Sequence, residues 1–127
     1  MLKNIIIVGI GGFIGTILRY LLTFYMHKAT DSIFPIGTLI VNLLGCFIIG
    51  IVIGLFEKGS LVSPEFRLFL TVGFCGGLTT FSTFSSDIVN LLSDLEIFYF
   101  TIYLALSVIL GVLLSFAGKN LVMLIWR

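Results

Sequence analysis

Charge is scarce in this sequence. Of 127 residues only seven are Lys or Arg and six are Asp or Glu, a formal net charge of +1. That leaves no basic surface for nucleic acid and no run of like charge that would mark a solvated tail. Proline and cysteine are scarcer still, two of each. There is accordingly no Pro-rich linker and no disulfide framework. Cys46 and Cys75 both fall inside apolar runs, read as packing residues and have no metal-ligand spacing around them. His27 has no partner of metal-binding type nearby and reads as a loop histidine. No internal repeat and no low-complexity segment is visible.

What is present is hydrocarbon. Hydrophobic residues make up 59% of the chain and the mean hydropathy is +1.25, outside the range of an ordinary soluble domain. A bilayer core of roughly 30 Å takes about 20 mostly apolar helical residues. The chain offers four such stretches, at about 4–26, 35–56, 66–92 and 97–118. They predict an all-α, multi-pass membrane protein, with residues 1–127 forming one four-helix transmembrane domain. Lys3 followed by an apolar run could open a signal peptide, but no small-residue cleavage site follows, so the first span is expected to be retained. "IIIVGIGGFIG" has the look of a dinucleotide-binding turn, yet Ile14 stands at the third fingerprint position and no β-α-β unit follows. Gly11 with Gly15, and Gly50 with Gly54, instead form small-residue rows that let helix backbones approach closely.

The connections are short and polar. "HKATDSIFP" ends at Pro35, a residue at home in the first turn of a helix. "EKGSLVSPEFR" offers Ser63 as an N-cap with Pro64 at the first helical position. "SDLE", at 93–96, predicts a tight third turn.

Polar residues inside the spans carry the functional signal. Arg19 lies near enough to the far end of the first span to snorkel. Thr38 and Asn42 are four apart and share a helix face. A carboxamide in lipid must be hydrogen-bonded, so Asn42 faces another helix or water; interhelical bonding and pore lining both fit. Tyr103, Ser107, Gly111 and Ser115 form a similar row, suited to packing or to lining a path. "GFCGGLTTFSTFSSD", residues 73–87, gathers three glycines, three threonines and three serines in mid-span. Glycine costs about 1 kcal/mol per residue relative to alanine in a helix, and the pair Thr79–Thr80 follows, which predicts a break near 75–80. Carbonyls freed there are candidate cation ligands. Phe81 and Phe84 then share one face, where either plain packing or a direct role fits.

The combination "GTLIVNLLGCF" and "GFCGGLTTFSTFS", in a chain of four short spans, closely resembles the Fluc (CrcB) family of bacterial fluoride channels, over essentially the whole chain. The resemblance implies a dual-topology antiparallel dimer in the bacterial inner membrane, with two fluoride pores and a structural sodium ion (Na+) at the interface. It implies that Phe81, Phe84 and Asn42 line the fluoride pore, with Thr38, Thr83, Tyr103 and Ser107 as neighbouring polar positions and Arg19 as the first-helix arginine. Gly76 and Thr79 match the positions whose backbone carbonyls hold the sodium. The partners implied are fluoride, lipid and a second copy of the chain, or an oppositely oriented homologue.

Two other function classes remain to be weighed. A small dual-topology multidrug exporter would need a membrane-embedded carboxylate to exchange protons, whereas Asp31, Glu57, Glu65, Asp94 and Glu96 read as loop or edge residues and Asp87 as near the end of the third span. An accessory subunit without transport of its own would explain the glycine rows but not the polar cluster. One feature departs from the simplest dual-topology picture: Lys3, Lys58, Arg67, Lys119 and Arg127 are expected at one end and only Arg19 and Lys28 at the other.

Overall fold

The computed structural model describes residues 1–59 and 62–126. Four apolar helical segments, each long enough to cross a bilayer, make up nearly all of it: Leu2–Ala29, Ile36–Glu57, Pro64–Ser93 and Ile97–Ile125. The first, second and fourth are continuous helices, here α1, α2 and α6. The third is composite. It comprises α3 (Pro64–Leu68), a π-helical stretch Phe69–Cys75, one turn of α4 (Gly76–Leu78) and, after an interruption, α5 (Phe81–Ser93).

The local signals explain the boundaries. Ser63 caps α3, its hydroxyl oxygen accepting the Phe66 N–H at 3.2 Å, with Pro64 at the first helical position as its sequence predicts. Gly59 (φ +97°) follows the end of α2 in the left-handed conformation that glycine tolerates best. The tight turn between α5 and α6 places a non-glycine residue, Leu95 (φ 59°), in the same region. Two expected boundaries move outward. α1 runs on to Ala29, which puts His27 in its last turn instead of a loop, and α6 continues through the apolar "LVMLI" to Ile125 rather than ending at 118.

Small residues set how the helices meet. A Cβ built on Gly11 would lie 2.7 Å from the Phe69 carbonyl oxygen and 2.9 Å from the Phe74 amide nitrogen, and one on Gly15 would collide with the Phe74 carbonyl. α1 therefore packs backbone against backbone on the π-helical stretch. The glycine row of α2 does the same to α6, with Gly50 facing the Ser115 carbonyl and Gly54 that of Lys119. Tyr103 is fully buried and packs with Leu39 and Leu91 in a cluster flanked by Phe34, Phe84 and Tyr99. This cluster ties α5 to α2 and α6.

One end of the bundle gathers charge. Lys3 Nζ reaches Glu65 at 3.0 Å, Lys119 Nζ reaches Glu57 at 2.8 Å, and the Arg67 guanidinium stacks 3.8 Å from the centre of the Phe56 ring. The sequence grouped Lys3, Arg67 and Lys119 at one end, as found; Arg127, counted with them, lies outside the described residues.

Candidate functional site

The site is built on the break. Thr79 (φ −94°, ψ 147°) and Thr80 (φ −150°, ψ 125°) are extended, and the helix restarts at Phe81. In a continuous helix the Thr80 N–H would bond the Gly76 carbonyl. It donates instead to Asn42 Oδ1 on α2, at 3.1 Å. The Thr83 N–H, which would serve the Thr79 carbonyl, donates to Thr80 Oγ1 at 3.2 Å and so caps α5. Gly76 and Thr79 are thereby left with carbonyl oxygens stripped of their helical donors, and Gly76 is exposed on the surface of the single chain.

The Asn42 bond orients its whole carboxamide. Thr80 N–H can only donate, so the atom facing it is the oxygen, and the NH₂ is left to point elsewhere. A cavity of about 320 Å³ beside it is lined by Asn42, Thr79, Thr80, Phe81, Phe84 and Ser107, with Gly45, Cys46, Ile49, Val108 and Ser115 completing the wall. Ser107 Oγ is buried and has no hydrogen-bond partner. The other hydroxyls are committed: Thr79 Oγ1 donates to the Cys75 carbonyl at 2.8 Å, and Ser115 Oγ to the carbonyls of Cys46 and Gly111 at 3.0 and 3.1 Å. Within the cavity the uncommitted side-chain groups are the Asn42 NH₂ and the Ser107 hydroxyl, both able to donate.

Aromatic rings continue from this cavity. Phe81 and Phe84 lie 5.7 Å apart between ring centroids, Phe84 and Tyr103 5.2 Å, Tyr103 and Phe34 5.7 Å. Phe84 is half-buried, but Phe81 is 79% exposed and packs on little within its own chain. Beyond Tyr103 a second cavity, of about 280 Å³, opens toward the opposite end of the bundle from the ion pairs; Thr38, Thr23, His27, Thr30, Ser32 and Asp87 line it.

Asp87, six residues from the end of the third span, faces the bundle near that end. It is only partly exposed, and its Oδ2 accepts the hydroxyl proton of the buried Tyr103 at 2.9 Å. Asp87 sits in the middle of α5, facing α6. The sequence offered one signal, an acid amid the serines that follow Phe84.

Of the residues singled out, Asn42, Thr79, Phe81, Phe84 and Ser107 come together in the first cavity and Thr38 reaches the second, with Tyr103 between them. Thr83 lines neither; it supports the cap of α5. Arg19 is half-buried on α1, borders neither cavity, and has no carboxylate partner among the described residues. Among the described residues no three His, Cys, Asp or Glu side chains gather as metal ligands. The oxygens suited to a cation are the backbone carbonyls of Gly76 and Thr79, hard donors that fit an alkali ion.

Known proteins align with nearly the whole chain. The family model described as "CrcB-like protein, Camphor Resistance (CrcB)" matches residues 6–119. A protein of Chlorobium phaeobacteroides named fluoride-specific ion channel FluC is 48% identical over 117 residues, covering 92% of this chain and 91% of its own. Proteins of the same name from Chlorobaculum tepidum (42% identical, 100% and 99% covered) and Flavobacterium psychrophilum (40% identical, 92% and 94% covered) are similar over comparable lengths. With a family model spanning the four helices and the break, and relatives of this identity over nine-tenths of its length, the chain belongs to the CrcB family.

Proposed function

We propose that this protein is a fluoride-selective channel that lets the ion leave the bacterial cell passively across the inner membrane. The observation that carries the reading is the Asn42–Thr80 hydrogen bond. By turning the carboxamide oxygen to Thr80, it leaves the NH₂ free on a residue that lines the cavity, whose other uncommitted side-chain polar group is the Ser107 hydroxyl. Fluoride is small, accepts hydrogen bonds only, and holds its water tightly, so a path for it must replace hydration with donors. Phe81 and Phe84 add rings whose edges carry partial positive charge. The names of the relatives point to the same ion.

The exposed Phe81 and Gly76 fit an assembly in which a second copy completes the site. Two copies in antiparallel orientation, or one paired with an oppositely oriented homologue, would give two equivalent pores. The Gly76 and Thr79 carbonyls of both copies would then hold a structural sodium ion. When bound there, sodium supplies fixed positive charge in a low-dielectric place, where it acts far more strongly than in water.

Asp87 favours one second reading, a proton-driven exporter, because that class uses an embedded carboxylate. Efflux from liposomes separates the two. A fluoride channel releases fluoride down its gradient without a proton gradient and releases chloride hardly at all. Comparable chloride efflux would sink the channel reading, and transport that requires a pH difference would favour the exporter.

A further inference from the structure

The polar row on α6 does not stop at Ser115. Its spacing, Tyr103, Ser107, Gly111, Ser115, continues one more turn to Lys119. Ser115 is shared between the Asn42 cavity and a further groove of about 280 Å³, lined by Ile53, Val112, Ser115, Phe116 and Lys119. The seam between α2 and α6 therefore leads from the donor-lined cavity to an ammonium group. That ammonium is held by Glu57 at 2.8 Å, with the side chains of Lys119 and Glu57 33% and 44% exposed. Glu57 is not among the residues that line the groove.

We propose that Lys119 is the cationic mouth of the ion path at the charged end of the bundle, where it gathers fluoride, with Glu57 limiting how strongly it does so. The inference rests on the fluoride reading above. At this end Lys119 is the cation that faces the groove, and its carboxylate partner lies to one side. The carboxylate offsets part of the ammonium's field, but Lys119 and not Glu57 lines the groove, whose walls are otherwise apolar apart from Ser115, so the remaining field there is positive. Releasing Lys119 from Glu57 would leave the groove more positive. The opposite cavity is lined by Asp87 and His27 and, among the described residues, by no Lys or Arg, so the two mouths differ in what lines them.

The test uses the whole protein in fluoride-loaded liposomes at low and high ionic strength. Lys119→Gln should slow fluoride efflux about threefold to tenfold at low salt, the deficit shrinking as salt screens the charge. Lys119→Arg should recover most of the lost flux. Glu57→Gln should match or exceed the wild-type rate. The double variant Lys119→Glu with Glu57→Lys restores an ion pair but moves the ammonium out of the groove, and should be as slow as Lys119→Gln. Equal slowing by Lys119→Gln and Glu57→Gln, with recovery in the double swap, would overturn the proposal in favour of a strut between α2 and α6. Unchanged flux in Lys119→Gln would overturn it as well. A wild-type protein that passes no fluoride at all would instead locate the failure in the fluoride reading itself.

Discussion

The hydroxyl of Tyr103 donates to Asp87 Oδ2 at 2.9 Å, joining α6 to α5 where the tyrosine is wholly buried. The bond fixes a short helix that is severed from the rest of its span. Tyr103→Phe keeps the ring contacts with Phe84 and Phe34 but leaves a partly buried carboxylate without its donor, at a cost of about 1–3 kcal/mol. Asp87→Asn keeps an acceptor for the hydroxyl, and its amide can be hydrated from the polar cavity. Thermal unfolding in detergent should therefore show a clear drop for Tyr103→Phe and a smaller one for Asp87→Asn. The reverse order would mean that the charge, and not the bond, holds α5.

Asn42 has two jobs that substitution can separate. Asn42→Asp retains an oxygen for the Thr80 N–H but replaces the NH₂ donor with an anionic acceptor. It should fold as a stable protein and pass little fluoride. Asn42→Ala leaves the Thr80 N–H unpaired at the break, costing about 1–3 kcal/mol on top of any loss of transport. Near-normal fluoride efflux in a folded Asn42→Asp variant would remove the carboxamide from the proposed path.

Phe81 and Phe84 differ in what their own chain asks of them. Phe84 packs on Tyr103, whereas Phe81 is 79% exposed. Phe84→Leu should lose both flux and stability. Phe81→Leu, a swap that usually costs under about 1.5 kcal/mol, should leave the single chain's packing intact, so a sharp fall in its fluoride efflux points to the ring itself. Full efflux from Phe81→Leu would return that residue to plain packing.

Much of this was legible in the sequence, and the misses have a common cause. Ser63 with Pro64, the break after Gly76–Gly77, and the glycine rows are local signals, each decided by neighbours in the chain. The π-helical Phe69–Cys75 was not foreseen, since it accompanies a tertiary contact: Gly73 and Gly11 approach so closely that a Cβ on either would lie 3.0 Å from the other's Cα. Asp87 lies near the end of the third span, as the sequence places it; its bond to the buried Tyr103 is tertiary and was not legible there. That Thr38 and Asn42, on one face, open into different cavities depends on Tyr103 filling the space between.

The glycine contacts predict a sharp contrast along α1. Nothing lies within 4 Å of a Cβ added at Gly9, whereas at Gly11 it would meet backbone atoms of the third span at 2.7 and 2.9 Å. Gly9→Ala should be neutral in expression and melting temperature. Gly11→Ala forces two backbones apart, and overpacking of this kind typically costs about 1–3 kcal/mol. Equal behaviour of the two variants would contradict backbone-to-backbone packing.

The break itself predicts a cation dependence that side chains do not set. The Gly76 and Thr79 carbonyls have lost their helical donors to Asn42 and to the cap of α5, while Thr79 Oγ1 is turned back onto the Cys75 carbonyl. One chain offers too few oxygens to enclose an ion, so sodium bound there requires two chains, and antiparallel chains related by a two-fold axis in the membrane plane would bring the two breaks together. Replacing sodium by a bulky organic cation should then weaken the proposed dimer, and Thr79→Ala should show the same sodium dependence as the wild type. Loss of that dependence in Thr79→Ala would assign the binding to the hydroxyl. Orientation supplies the second check: a single cysteine introduced at Asp94, in a chain freed of Cys46 and Cys75, should be labelled from both faces of the membrane. Labelling from one face only would make the dimer parallel, separate the two sets of carbonyls, and end the case for a shared ion.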